Sequence, residues 1–132
     1  VLVGEDYVMK IADFGLARDI YKSDLYVKTT SGVLPIKWMA LESLFQKEYS
    51  EKSDVWSFGI LLWEIFTLGD TPYTTILTKN CLFEFLCGGK RLENPQNCPL
   101  EIYNIMRDCW LEDRDKRPEF ARISFLIGKI LE

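Results

Sequence analysis

Ser53-Asp54-Val55-Trp56-Ser57-Phe58-Gly59-Ile60-Leu61-Leu62-Trp63-Glu64-Ile65-Phe66-Thr67-Leu68-Gly69 is the stretch on which the fold turns. Val55, Trp56, Phe58, Ile60, Leu61, Leu62, Trp63, Ile65 and Phe66 leave almost no polar side to a helix drawn through them. Ser53 reads as its N-cap, Asp54 falls in its first turn, and Gly69 stops it after Leu68. A helix that is apolar nearly all round is buried in the middle of a larger body. Its most apolar part, residues 55 to 63, is interrupted by Ser57 and Gly59 and stopped by Glu64, and is too short to cross a membrane.

Working outward, helical spacing continues on both sides. Residues 41 to 45 read as a short helix. Leu82, Phe83, Phe85 and Leu86 mark another, ended by Gly88-Gly89. Ile102, Tyr103, Ile105, Met106, Cys109 and Trp110 recur at i, i+3, i+4 spacing and mark a third, and a last helix runs over residues 120 to 131. At the other end, Val1-Leu2-Val3 and Val8-Met9-Lys10-Ile11 flank a polar Gly4-Glu5-Asp6 turn and predict a short β-hairpin. The fold class is therefore mainly α with a small hairpin, an α+β arrangement. From Asp13 to about Pro35 the periodicity fades into a polar loop of about 20 residues, a length that in a compact domain tends to be functional.

The 132 residues suit one domain, and 48 % hydrophobic with 27 % charged residues are ordinary globular values. Eight Phe, six Tyr and four Trp supply the apolar surface a core needs. Histidine is absent, which excludes a Ser-His-Asp triad, a Cys-His dyad and any zinc site built on histidine. A net charge of −4 argues against a nucleic-acid partner. Cys81, Cys87, Cys98 and Cys109 form no CxxC pair. Cys81, Cys87 and Cys109 lie inside apolar helical patterns, so the four are expected to be reduced, buried thiols.

The first chemical signal is Asp13-Phe14-Gly15, directly after the second strand of the hairpin. An aspartate at a strand end, beside a glycine that permits an unusual turn, can coordinate a metal ion. By itself the tripeptide is equally an ordinary Asx turn. Next come Pro35-Ile36-Lys37-Trp38-Met39, Ala40-Leu41-Glu42, Ser53-Asp54-Val55-Trp56-Ser57-Phe58-Gly59, Cys109-Trp110 and Arg117-Pro118. In this order and spacing, through essentially all 132 residues, they closely resemble the second half of a protein tyrosine kinase domain. Ala17-Arg18-Asp19-Ile20-Tyr21, Trp63-Glu64-Ile65-Phe66-Thr67-Leu68-Gly69 and Met106-Arg107-Asp108-Cys109-Trp110 resemble receptor tyrosine kinases, nearest to the Ret and fibroblast growth factor receptor groups.

The resemblance implies roles for individual residues. Asp13 would hold Mg²⁺ against the phosphates of ATP, with Phe14 and Gly15 completing the nucleotide-side motif. Phe14 would pack to set the active or inactive state. The polar loop would be an activation segment with phosphosites Tyr21 and Tyr26, beside Arg18, Lys22 and Lys28. Outside that resemblance the two are simply surface tyrosines among charges. Pro35, Lys37 and Trp38 would form a platform under a substrate tyrosine, although Trp38 suits plain core packing as well. Glu42 would pair with Arg117; if the pair is buried, losing one partner costs about 3–5 kcal/mol. Asp54 would fix the backbone of a catalytic loop, and is also a helix N-terminal acid worth under about 1 kcal/mol.

The resemblance further implies that residues 1–132 are a partial protein tyrosine kinase domain. They hold the Asp-Phe-Gly motif, the activation segment and the C-lobe helices, with the N-lobe, the catalytic loop and its base outside. The parent would be a single-pass plasma-membrane receptor, with this segment in the cytoplasm. It would phosphorylate protein tyrosines, trans-phosphorylate within a dimer and recruit phosphotyrosine-binding adaptors. The isolated chain is expected to be inactive and marginally folded. Four departures from the family pattern stand out: Leu41, Leu25, Thr74-Thr75 and Arg114, the last in place of a usual proline. A non-catalytic, pseudokinase-like or truncated interaction module is the alternative.

Overall fold

The structure is a computed structural model that describes residues 1–18, the backbone of 26–27, and 34–132. Strand β1 (Leu2–Val3) pairs antiparallel with β2 (Met9–Lys10), with Leu2 opposite Lys10 and Val3 opposite Met9. A 3-10 turn, Glu5–Tyr7, joins them, with Asp6 and Tyr7 both at positive φ. A second antiparallel pair links β3 (Tyr26–Val27) to β4 (Glu48–Tyr49), Tyr26 opposite Tyr49 and Val27 opposite Glu48. The helices are α1 (Leu41–Gln46), α2 (Glu51–Phe66), α3 (Lys79–Cys87), α4 (Leu100–Cys109) and α5 (Phe120–Leu131).

Helix α2 is the axis of the core. Val55, Trp56 and Ile60 are completely buried, and Ile102, Ile105, Met106 and Cys109 of α4 belong to the same buried cluster. Leu41 and Leu44 of α1, Leu82 and Leu86 of α3 and Ile123 of α5 complete it. Each such side chain contributes about 1.5–3 kcal/mol through removal from water. Gly59 sets how closely α4 approaches α2. A Cβ at this position would lie 2.6 Å from Trp110 Nε1 and 2.8 Å from Cys109 Cβ.

The helix positions follow the sequence reading, with corrections to the ends and cover of α2, to the thiols and to the polar loop. The N-cap of α2 is Ser50, not Ser53. Ser50 Oγ accepts from the Lys52 N–H at 3.2 Å, and Ser53 Oγ accepts from the Ser50 N–H at 2.8 Å. Ser53 is thus the third residue of the helix and the reciprocal member of a capping box, a role that sequence pattern confuses with the cap itself. The helix also ends at Phe66, before an exposed Leu68 at φ 59°. Nor is α2 covered on every side: Ile65 is exposed.

The thiols need correction too. All four cysteines are free, but Cys81 and Cys87 are exposed and only Cys98 and Cys109 are buried. On α3 the buried face is carried by Leu82 and Leu86, one turn apart, and the two cysteines fall beside it. Burial pushes the Cys109 thiol up to about 12. The polar loop is likewise not featureless, since it contains a 3-10 turn, Phe14–Leu16, and β3.

Replacing Gly59 by Ala is expected to destabilise the fold by about 1–3 kcal/mol, because Trp110 and Cys109 must move. Gly128→Ala, on α5 with open space around it, is expected to stabilise by about 0.5–1 kcal/mol. Urea midpoints of the two variants in the polypeptide that carries this chain check both signs.

Candidate functional site

Asp13 leads into the Phe14–Leu16 turn with φ 64° and ψ 71°, a left-handed conformation that aspartate tolerates better than most residues. Its side chain and that of Phe14 are exposed, Phe14 by 68 %. Arg18 donates to its own turn, to Gly15 O at 3.2 Å and Ala17 O at 2.7 Å. Its guanidinium is therefore engaged locally. Tyr21 lies outside the described residues, and so does the side chain of Tyr26, whose backbone forms β3.

Beyond the loop, the chain returns at Leu34 and is tied down residue by residue. Trp38 Nε1 donates to Glu64 Oε2 at 2.9 Å, and Ser57 Oγ donates to Trp38 O at 2.8 Å. Both partners are on α2, so the 3-10 turn Ile36–Trp38 is clamped to the core helix. Lys37 Nζ donates to Tyr73 O at 3.1 Å, linking the same turn to the segment after α2. Trp38 packs against the core, which fits its packing role, while Pro35 stays exposed. Leu16, Leu34, Met39, Asp54 and Ser57 line a cavity of about 520 Å³ between these elements.

Asp54 is exposed overall yet lines that cavity. Partial desolvation there, and then the Glu51 carboxylate one turn earlier, push its carboxyl above the usual carboxylate range. The helix dipole favours its charge, but burial and the like charge of Glu51 outweigh it.

Glu42 and Arg117, 75 residues apart, meet as anticipated. NH1 donates to Oε1 at 2.7 Å and NH2 to Oε2 at 2.8 Å, a bidentate pair. The remaining guanidinium donors reach Leu111 O at 2.8 Å, Lys52 O at 3.0 Å and Glu112 O at 3.4 Å. Lys52 Nζ in turn donates to Arg117 O at 2.7 Å. Every donor of a fully buried guanidinium therefore has an acceptor, which is the condition under which such burial is tolerated.

Two participants were not anticipated. Trp56 is in cation–π contact with both Arg117 and Arg91, whose guanidinium carbons are 5.0 and 5.1 Å from its ring centroid. Cation–π contacts of this kind are worth about 2 kcal/mol or more when desolvated. Arg91 is held there by Trp110 O and Leu86 O, each at 2.8 Å. No local pattern marks Arg91, because it sits in a loop and its partners are distant in sequence. The second is Glu64, the acceptor for Trp38, to which the sequence gives no hydrogen-bonding role.

As for metal, no cluster of three His, Cys, Asp or Glu side chains occurs among the described residues. Asp13 offers one exposed carboxylate, which fits the single-carboxylate share that Mg²⁺ takes when phosphates supply the rest. Among the described residues no helix is long and apolar enough to cross a membrane.

Comparison with known proteins matches the sequence to a family. A model of protein tyrosine and serine/threonine kinases matches residues 1–127. Fibroblast growth factor receptor homolog 1 of Drosophila melanogaster is 55 % identical over 132 residues, covering 100 % of this chain and 18 % of the relative. Fibroblast growth factor receptor of Strongylocentrotus purpuratus is 57 % identical over 131 residues, 99 % of this chain and 13 % of the relative. Fibroblast growth factor receptor 1 of Pleurodeles waltl is 57 % identical over 123 residues, 93 % of this chain and 15 % of the relative. The chain thus spans less than a fifth of the length of these relatives.

Glu42→Ala is expected to destabilise by about 3–5 kcal/mol, leaving Arg117 buried without its counter-charge. Arg117→Lys is expected to lose the bidentate geometry and fall between the two. Denaturant titration of both measures this. For Asp54 the sign runs the other way. A raised folded pKa means that the folded state gains stability as pH falls through it and carries the full penalty above it. Asp54→Asn should therefore be more stable than the parent at neutral pH, with the difference vanishing as pH drops below the ordinary carboxylate range. Thermal midpoints across pH 3 to 8 test that convergence.

Proposed function

The chain belongs to the protein tyrosine and serine/threonine kinase family, and on that premise we propose that it is the C-lobe portion of a receptor tyrosine kinase related to the fibroblast growth factor receptors. The observation that carries the reading is 55–57 % identity to such receptors over 123 to 132 residues. The whole enzyme transfers the γ-phosphoryl of ATP to protein tyrosine. Asp13 holds Mg²⁺, which when bound neutralises charge on the phosphates. Residues 34–39, clamped to α2 through Trp38, Ser57 and Glu64, form the floor that receives the substrate tyrosine, with Pro35, Lys37 and Trp38 at its surface. Rigidity of this floor matters because phosphoryl transfer depends on positioning. Glu42 and Arg117 hold the floor's trailing end, since α1 begins directly after Met39-Ala40.

Tyr21 and Tyr26 are the autophosphorylation sites of the activation segment, modified in trans within a receptor dimer, and they offer docking points for phosphotyrosine-binding adaptors. Asp54 anchors the backbone of a catalytic loop across the cavity it lines. The receptor spans the plasma membrane once, with this segment in the cytoplasm. Among the described residues Asp13 supplies the metal-holding carboxylate and none is placed as a general base, so residues 1–132 by themselves transfer no phosphate.

A phosphotransfer assay with Mg-ATP and a Glu-Tyr copolymer tests the reading. Residues 1–132 should show no turnover above their own Asp13→Ala variant. In the full receptor, Asp13→Ala should lower kcat by about a thousandfold or more, given the several kcal/mol a phosphate-bound metal supplies. Turnover by the short chain, or an active Asp13→Ala receptor, would sink it.

A further inference from the structure

Arg114, where the sequence departs from the family's usual proline, is not idle. Its NH1 lies 2.8 Å from Glu48 Oε2, and both side chains are partly shielded, at 35 % and 26 % exposure. Glu48 is the first residue of β4 and the direct cross-strand neighbour of Val27 in β3. Its carbonyl is also engaged, accepting from the buried Ser43 Oγ at 2.6 Å. Lys47 turns the chain into β4 at φ 58°, and the Ser50 capping box holds its far end. Strand β4 is thus held at both ends and by both the main chain and the side chain of Glu48.

Arg114 belongs to the short segment that also carries Arg117. One stretch of four residues therefore sends two arginines to two glutamates that bracket α1: Glu42 near its start and Glu48 just past its end. The two pairs differ in kind. The Glu42–Arg117 pair is buried and fully hydrogen-bonded, and supports the core. The Glu48–Arg114 pair is half in water, adds little to global stability, and touches the element that pairs with β3.

We propose that Arg114 is a positioning residue for Tyr26–Val27: through Glu48 it holds β4 as the template on which this strand of the activation segment pairs. A two-residue ladder is marginal by itself, so its occupancy depends on how firmly the template is fixed. The inference concerns regulation and rests on the activation-segment reading above only for its consequence, that the ladder governs how readily Tyr26 is presented to a kinase.

The experiment uses the full polypeptide with Glu48→Arg, Arg114→Glu and the double swap. Amide hydrogen exchange without ATP is the first readout. Each single variant should raise exchange in residues 26–27 and 48–49 about fivefold, the upper end of what a partly exposed pair delivers, with α2 and α4 unchanged. The swap should return it to within about twofold of the parent. Unchanged exchange in the singles, or a rise spread equally over α2 and α4 and not rescued by the swap, overturns the proposal. Should a charge variant not fold, Glu48→Gln keeps the shape and is held to the same local pattern at about twofold.

The second readout is the rate of Tyr26 phosphorylation by an added active tyrosine kinase. There the phenol oxygen attacks the γ-phosphorus of ATP and the bond to the β–γ bridging oxygen breaks. ADP leaves, and the phenolic proton passes to the added enzyme's base. A rate that rises in the singles and falls back in the swap supports the proposal and its consequence together. The expected exchange pattern with no phosphorylation of Tyr26 in any variant supports the positioning role and removes the phosphosite reading.

Discussion

The buried pair of Glu42 and Arg117 is the constraint from which the rest of the structure follows. A guanidinium with no exposed surface can exist only where every donor finds an acceptor. Meeting that condition draws Leu111, Glu112 and Lys52 carbonyls and the Glu42 carboxylate to one point. Four parts of the chain are thereby brought together: the start of α1, the first turn of α2, the segment after α4, and the approach to α5. Such a pair adds little net stability relative to an apolar replacement. Its effect is on arrangement, because this placement of the segments gives every donor of the buried charge an acceptor.

Trp56 converts that polar knot into part of the hydrophobic core. Its ring meets both Arg117 and Arg91, while its indole N–H has no acceptor among the described residues. The ring faces do the binding here, so a large aromatic is needed and its donor is left over. Gly59, less than one turn further along α2, then admits Trp110 and Cys109 at a distance no side chain would allow. The helix is held at one level by charge and cation–π contact and at the next by close backbone approach. Residues 34–39, proposed above as the substrate floor, are fastened to this same helix through Trp38, so what stabilises the core also rigidifies that segment.

Much of this was legible beforehand, for identifiable reasons. Helix periodicity survives any context, so the five helices were readable from apolar spacing. The Glu42–Arg117 pairing was readable through resemblance alone, since nothing local joins residues 75 apart. Boundaries were less legible where two serines share one cap, as at Ser50 and Ser53. Cys81 and Cys87 misled because an apolar residue type in an apolar stretch does not say which side of the helix it occupies. Arg91 carried no signal, and Glu64 and Arg114 stood out in the sequence without their partners Trp38 and Glu48 being legible, since these are remote in sequence.

By itself, then, the sequence determined the element types, the family and the identity of the chemical groups at Asp13, Glu42 and Arg117, because these depend on residue type and spacing along the chain. Only the tertiary structure decided which face of α3 is wet and which two cations meet the Trp56 ring. It also decided that Arg114 reaches Glu48 and that Asp54 sits where burial raises its pKa. Those outcomes depend on distances between atoms that the chain brings together only on folding, where desolvation and direct contact, rather than order along the chain, set the energies.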